Sequence, residues 1–374
     1  MPNSIVIRCL GRLLLIVGIF ALGFGTVQAA KREYPTIIVL GQATPLDSSE
    51  GLTTPLVILD HESSGHFLNS TLRLKYETVS PTLSLTHRLG AALDFEYAVD
   101  GTALAEGNGT DLYLKGVRLK EKAFAGDGVS KRLGLHFFPT SPLRFSVTAD
   151  ERHRKFYAAK DTSATYQFPA EFDERTTSGV VKWVGLLHED GELSVTALQG
   201  KRSSAWKDWE LDNHSETTAT FSKTLIAWKD QIEWGKFAVT KLEAVSASGT
   251  NLDLFSGFKV GGLTSEYSVA GHFRNEYRAR SVQVYKLWQE INFAEDRILY
   301  LFGDQATFLE LDLSYLGNPT ESRSISGAGV GFRYGIRSLK GLPIIVTYGE
   351  GSGVPETSKE QHRRELVVVI ALGF

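Results

Sequence analysis

The chain has nine histidines, the residues most able to bind a metal or move a proton: His61, His66, His87, His136, His153, His188, His214, His272 and His362. None is paired at the spacing that sets two imidazoles around a metal, as His-Glu-x-x-His does on a helix. The closest cluster, His61-Glu-Ser-Ser-Gly-His66, lies in a loop-like stretch and reads as solvated polar residues, so no metal site is expected. Asn213-His214-Ser215 puts a hydroxyl beside a base by adjacency only, and no Gly-x-Ser-x-Gly elbow is present. A triad is recognised by geometry and not by sequence position, so a hydrolase stays a minor alternative. The expectation is no enzymatic activity and no cofactor. Gly327-Ala-Gly-Val-Gly331 superficially resembles a nucleotide loop, but its spacing is wrong for the dinucleotide fingerprint and no helix follows. Alternating glycines at Gly327, Gly329 and Gly331 instead describe a strand with a bare face, against which another backbone or a loop can lie.

The elements that must carry these residues repeat with period two. Leu93, Phe95, Tyr97 and Val99 alternate with Asp94, Glu96 and Ala98; Leu143, Phe145, Val147 and Ala149 alternate with Arg144, Ser146 and Thr148; Ala328, Val330, Phe332 and Tyr334 alternate with Gly329, Gly331 and Arg333. Strict alternation is the mark of a strand with two different faces. Helical periodicity is nearly absent. Sixteen strands are expected, at 70–78, 81–88, 90–99, 111–120, 130–138, 142–150, 179–188, 191–200, 217–228, 231–245, 252–260, 282–293, 297–304, 324–335, 342–348 and 365–374, within a range of 12–16. Polar Gly-rich stretches such as His188-Glu-Asp-Gly191 and Tyr348-Gly-Glu-Gly-Ser-Gly353 separate them. The stretches 151–178, 201–216, 261–281 and 305–323 read as long extracellular loops.

The N-terminus sets the compartment. Arg8 and Arg12 precede an apolar run from Leu13 to Phe24, and Val27-Gln28-Ala29 is a small-residue cleavage pattern. This is the three-part form of a secretory signal peptide, expected at residues 1–29. Cys9, the only cysteine, lies before the apolar run, so the exported chain is expected to carry no disulfide. The formal net charge is −3, which argues against a nucleic-acid partner. No later segment holds the run of apolar residues that a membrane helix needs. An alternating barrel strand escapes that test.

A soluble sandwich also contains many alternating strands. Three features favour an all-β transmembrane antiparallel barrel over it. Charge lies mid-strand on the polar face, at Asp94, Glu96, Arg144, Lys182 and Arg333. Aromatics sit near strand ends, among them Phe137, Trp183, Trp234, Phe293 and Tyr334, as in interfacial girdles. Leu366, Val368, Ile370, Leu372 and Phe374 also alternate up to a terminal aromatic, the form of an outer-membrane sorting signal. The expected organisation is a signal peptide at 1–29, a short periplasmic segment or plug at 30–69, and an outer-membrane barrel at 70–374.

The C-terminal third has a further pattern. It runs Phe258-Lys-Val-Gly-Gly262, Val269-Ala-Gly-His-Phe-Arg-Asn-Glu-Tyr-Arg-Ala-Arg280, Val284 to Phe293 with Glu290, Ile298-Leu-Tyr-Leu-Phe-Gly-Asp304, the glycine strand with Arg333, and the last strand. This order resembles the last six strands of the outer-membrane surface-antigen superfamily, which includes the BamA, TamA, two-partner-secretion and patatin-linked barrels. The resemblance covers the barrel only, since residues 30–69 leave no room for the family's soluble partner-binding repeats. It implies sixteen strands and a loop, 263–281, folded into the lumen. In the family an arginine at the loop tip reaches the Asp of the Phe-x-Asp strand. Here Phe302-Gly-Asp304 keeps the Asp, while Ala270 stands at the arginine position. The lock candidates are therefore Asp304, Arg333 and Glu290 on the wall, with Arg274, Arg278 and Arg280 as replacement cations. The implied function is assistance of protein or lipid insertion or translocation across the bacterial outer membrane. Its implied partners are outer-membrane lipids including lipopolysaccharide, and the barrel-assembly machinery during biogenesis. A passive or substrate-specific porin and a structural surface protein are the alternatives.

Overall fold

The computed structural model describes residues 36–373 apart from 47–53, 66–69, 78–79, 90–91, 103–112, 115–116, 139–141, 160, 169, 204–218, 263–264, 274, 295–296, 312–320, 337–341 and 354–362. The signal segment 1–29, Arg274 and Phe374 lie outside the described residues. Sixteen strands form one antiparallel wall: β1 (Thr36–Pro45), β2 (Thr54–Gly65), β3 (Ser70–Glu77), β4 (Ser80–Arg88), β5 (Leu93–Thr102), β6 (Phe124–Phe137), β7 (Leu143–Ala158), β8 (Glu171–Val184), β9 (Glu192–Arg202), β10 (Thr220–Trp234), β11 (Ala238–Thr250), β12 (Tyr277–Ala294), β13 (Arg297–Glu310), β14 (Ser322–Ile336), β15 (Leu342–Ser352) and β16 (Arg363–Gly373). Each pairs with its sequence neighbours. The wall closes where β1 pairs antiparallel with β16, from Ile37↔Gly373 to Pro45↔Glu365. Closure leaves no strand edge to be satisfied by absent water, which is the condition for crossing a bilayer with strands. Among the described residues no helix is long and apolar enough to cross a membrane.

Alternation assigns the two faces. Leu133, Leu135, Val147, Val181, Val195, Ile226, Leu287, Leu301, Val330 and Phe332 are exposed large hydrophobics. They point outward and form the lipid-facing belt. Across the wall from them stand polar partners: His136 beside Glu96 at 2.8 Å, Arg132 on Asp150 at 2.7 Å, Lys182 on Glu192 at 2.9 Å and Lys241 on Glu290 at 2.5 Å. Such a lumen is polar where it is wet. The start of β1, the end of β16 and the turn 235–237 share one end of the barrel, and the connection 251–276 starts and returns at the other, which is the extracellular end on this topology.

Several expectations about the wall need correction. Residues 36–65, placed within a periplasmic segment or plug, are the barrel strands β1 and β2, and the barrel therefore begins at Thr36. The reason is that β1 is apolar on both faces: Ile37, Val39, Gly41 and Ala43 point inward, while Ile38 and Leu40 point outward. No alternation marks it. The strand that pairs with β16 is accordingly β1, and the strand expected at 70–78 is β3. In exchange, the described residues of 111–120 pair only as Tyr113–Leu114 with Val117–Arg118, and 252–260 belongs to the connection before β12. The long loops were also drawn too long, because β7, β8, β12 and β13 continue beyond the belt. There the outer face is charged, with Arg175 against Glu151 at 2.7 Å and His153 against Asp173 at 2.6 Å.

The register of the seam is directly testable. Gln42 and Val368 face one another on the outer surface, and directly opposed residues bring their Cβ atoms to about 5 Å. A Q42C/V368C chain should form a disulfide in membranes, read as a reducible gel-mobility shift. A cysteine at Leu74 of β3 with V368C should give none.

Candidate functional site

The connection between β11 and β12, residues 251–276, is the segment that occupies the lumen. Its first turn is built locally. Asp253 Oδ1 accepts from the backbone N–H groups of Phe255 at 3.1 Å and Ser256 at 2.7 Å, and from the Ser256 hydroxyl at 2.7 Å. Arg202 of β9 forms an ion pair with the same carboxylate, both side chains being buried. Phe258–Gly261 then adds antiparallel rungs to the start of β12, Phe258↔Ala279 and Val260↔Tyr277. Tyr267–Ser268 runs parallel to it. Phe258, Val260, Tyr267 and Val269 join Val245, Val282, Val284, Ala306, Phe308 and Ile325 in one buried apolar cluster. The loop is thereby packed on the inner face of β11 to β14 as firmly as a domain core.

The tip is seated by missing side chains. Gly327 of β14 stands opposite Gly351 of β15, and Gly329 opposite Gly349. A Cβ at Gly327 would lie 2.3 Å from the Ala270 carbonyl oxygen, and one at Gly351 would lie 2.9 Å from that oxygen. Gly271 has φ +78°, and a Cβ on it would lie 2.2 Å from the Gly351 nitrogen. Here the left-handed backbone and the close approach both require glycine. Beside this patch Asp304 Oδ2 accepts the Ala270 N–H at 3.3 Å. Lys286, opposite Asp304 in register, donates to the Ser268 hydroxyl at 2.7 Å.

The next residues carry a buried charge cluster. Glu276 Oε1 accepts from Arg363 Nη1 at 2.5 Å. Its Oε2 accepts from the Phe273 N–H at 3.2 Å and lies 3.3 Å from His272 Nδ1. The Arg363 guanidinium stacks 3.9 Å from the centre of the Phe273 ring. Burial alone would raise the Glu276 pKa; the His272 hydrogen bond and the Arg363 charge outweigh it and hold the carboxyl below its usual value. Nearer the mouth, Leu254 and Phe255 meet Phe124, Phe156, Tyr166 and Phe168, with Phe255 stacked on Phe156 at 5.2 Å. Below the loop a cavity of about 520 Å³ is lined by Lys229, Gln231, Lys241, Glu243, Lys286 and Trp288.

These positions sort the lock candidates. Asp304 meets the tip, but through the Ala270 backbone N–H, because alanine has no cation to offer. Gly327 and Gly329 lie on the inner face, and Gly331 continues that face further down β14. Arg278 is buried at the base of the loop, donating to the Asn275 carbonyl at 2.6 Å. Arg280 is exposed. Glu290 pairs with Lys241, and Arg333 stands six residues along β14 from Gly327, about 20 Å at strand rise. Neither is part of the tip contact. Leu366, Val368 and Ile370 face outward on β16, in register with outward Tyr348, Val346 and Ile344. Leu372 continues that alternation. Sequence reasoning missed Glu276, His272, Arg363, Gly349 and Gly351. Arg363 has the inward parity of β16, opposite to Leu366 and Val368, and that parity was the available signal. It was lost because the last strand was started at 365.

A closed sixteen-stranded antiparallel barrel with a connection packed on the inner face of its wall defines the outer-membrane class of β-barrel. Among solved structures it is similar to CdiB from Acinetobacter baumannii, at TM-score 0.60 and 14% identity over 92% of this chain and 61% of that one. It is similar also to CdiB from Escherichia coli, at 0.57 and 14% over 92% and 64%. BamA from Haemophilus ducreyi lacking POTRA domains 1-3 matches at 0.56 and 12% over 96% and 78%. The chain thus has the barrel fold anticipated from the order of its C-terminal motifs, and spans less than two thirds of each CdiB chain. No protein family matches it by sequence, and no curated protein does.

Two outcomes are expected. Gly327→Val should force the tip off the wall, since overpacking costs about 1–3 kcal/mol; the thermal transition should fall and the loop should become protease-sensitive. Glu276 keeps its charge to below the usual glutamate range near pH ~4.3. A depressed carboxyl stabilises the docked state above its ordinary pKa and loses that effect as pH falls through the depressed one. Loop protection should therefore be flat from about pH 8 to about 5 and fall only at lower pH, a limb that Glu276→Gln should abolish.

Proposed function

We propose that this barrel assists insertion or translocation of protein or lipid at the outer membrane, by way of its lumen and the lateral seam between β16 and β1. One observation carries the reading. The inner wall is charged over most of its circumference, yet at the seam it is apolar: Ile37, Val39, Ala43, Val367, Val369 and Ala371 all have inward parity. The outer faces of the same strands, with Leu40, Val368 and Ile370, are apolar as well. Parting β1 from β16 would join lumen to bilayer along a path with no charged side chain from Ile37 to Ala43, which suits a cargo with an apolar face. The fold shared with CdiB and BamA supports the reading. Partners on this reading are outer-membrane lipids, lipopolysaccharide among them, and the barrel-assembly machinery. A diffusion channel would need a continuous wet lumen, whereas residues 251–276 and the aromatic cluster bring apolar side chains into the extracellular half of this one.

Purified protein in a planar bilayer should give small, flickering conductance, and large steady pores would overturn the reading in favour of a porin. In cells, the oxidised Q42C/V368C seam should reproduce the outer-membrane protein and lipid profile of a deletion strain, with reduction restoring the parent profile. A locked seam with an unchanged profile would equally reject it.

A further inference from the structure

The Glu276–Arg363 pair joins two parts of the barrel that the chain holds far apart. Arg363 is the largest fully buried side chain in the described structure. It is the first residue of β16, the strand whose outer edge is the seam with β1. Glu276 is the last residue of the lumenal loop and equally buried. The other anchors of the loop lie elsewhere: Arg202 on β9, Lys286 on β12 and Asp304 on β13. Those strands are held on both sides by neighbours that do not include the seam. Arg363 alone of these anchors stands on a seam strand.

We infer that docking of the lumenal loop and closure of the seam are one coupled event, with Arg363 the positioning residue that joins them. If β16 swings away from β1 it carries Arg363 with it and leaves the buried Glu276 without that cation. If the loop leaves, Arg363 loses the Glu276 carboxylate and the Phe273 ring that covers it. Either separation removes one partner of a buried ion pair while the other stays in the protein, which is the costly way to break it. Backbone contact reinforces the link, since a Cβ on Gly271 would lie 2.8 Å from the Arg363 carbonyl oxygen. The inference deepens the seam reading by naming what holds the seam shut. Its test needs no cargo, so it fails or stands independently of that reading.

The test uses the folded barrel in detergent with a probe thiol at Ser268→Cys, read by maleimide labelling of the loop and by hydrogen exchange of residues 37–45 and 365–373. Glu276→Gln acts from the loop and Arg363→Met from the strand. Each should raise the labelling rate at least about tenfold, an opening made easier by 1.4 kcal/mol or more. Each should also speed exchange in both seam strands while β6 to β9 stay protected. Arg363→Lys, which keeps the charge, covers the case in which losing the cation prevents folding, and should give the same joint rise at smaller size. A freed loop beside an unchanged seam overturns the coupling, as does a loop that stays protected in both Glu276→Gln and the arginine variants.

Discussion

In hydrocarbon there is no water to take up a backbone N–H or C=O, so a strand wall must close on itself or not form. The β1–β16 ladder is where this chain meets that demand. It pairs the first described strand with the last, and every other feature of the molecule presupposes it. The inner faces of β14, β15 and β16 converge on one lumen only because the ring is shut. The glycine patch, Asp304 and Arg363 then surround a single loop tip.

Inside the ring, two chemistries share the space. Around β5 to β13 the lower lumen is lined by charged groups, several of them in cross-strand pairs such as Arg132 with Asp150, Lys182 with Glu192 and Lys241 with Glu290. Above them the loop brings its own apolar residues to cover Val245, Val282, Val284 and Phe308. The two regimes meet at Lys286 and Asp304, which are opposite one another and both touch the loop. A polar network of this kind orients the tip, while the apolar cluster and the aromatic stack supply most of the adhesion.

Much of this was legible in the chain because a barrel strand has two unlike faces. Leu133, Leu135 and Phe137 alternating with Gly134 and His136 say which side meets lipid, and the bare face of Gly327, Gly329 and Gly331 says where something must approach. Legibility failed where the faces are alike. β1 is apolar inside and out, so it passed for a non-strand, while Leu252 and Leu254 of the lumenal loop mimicked alternation although they bury against other elements. The count of sixteen survived because two false strands replaced two missed ones. In the site, Asp304 was found from a short motif. Glu276 and Arg363 were not, because a buried ion pair between distant segments leaves no local spacing to read.

The placement of the seam also orders the events of folding. β1 and β16 are the pair most distant along the chain, and the entropy of bringing them together is met after the local hairpins have formed. The seat for the loop tip is complete only once β16 has arrived with Arg363. Hairpins β11 to β13 can form around residues 251–276 while the wall is still an open sheet, but the tip has no counter-charge until the ring shuts. A nascent barrel would therefore carry Glu276 without its Arg363 partner until the last strand arrives, and the pairing of that one carboxylate marks the moment at which the seat of the loop becomes complete.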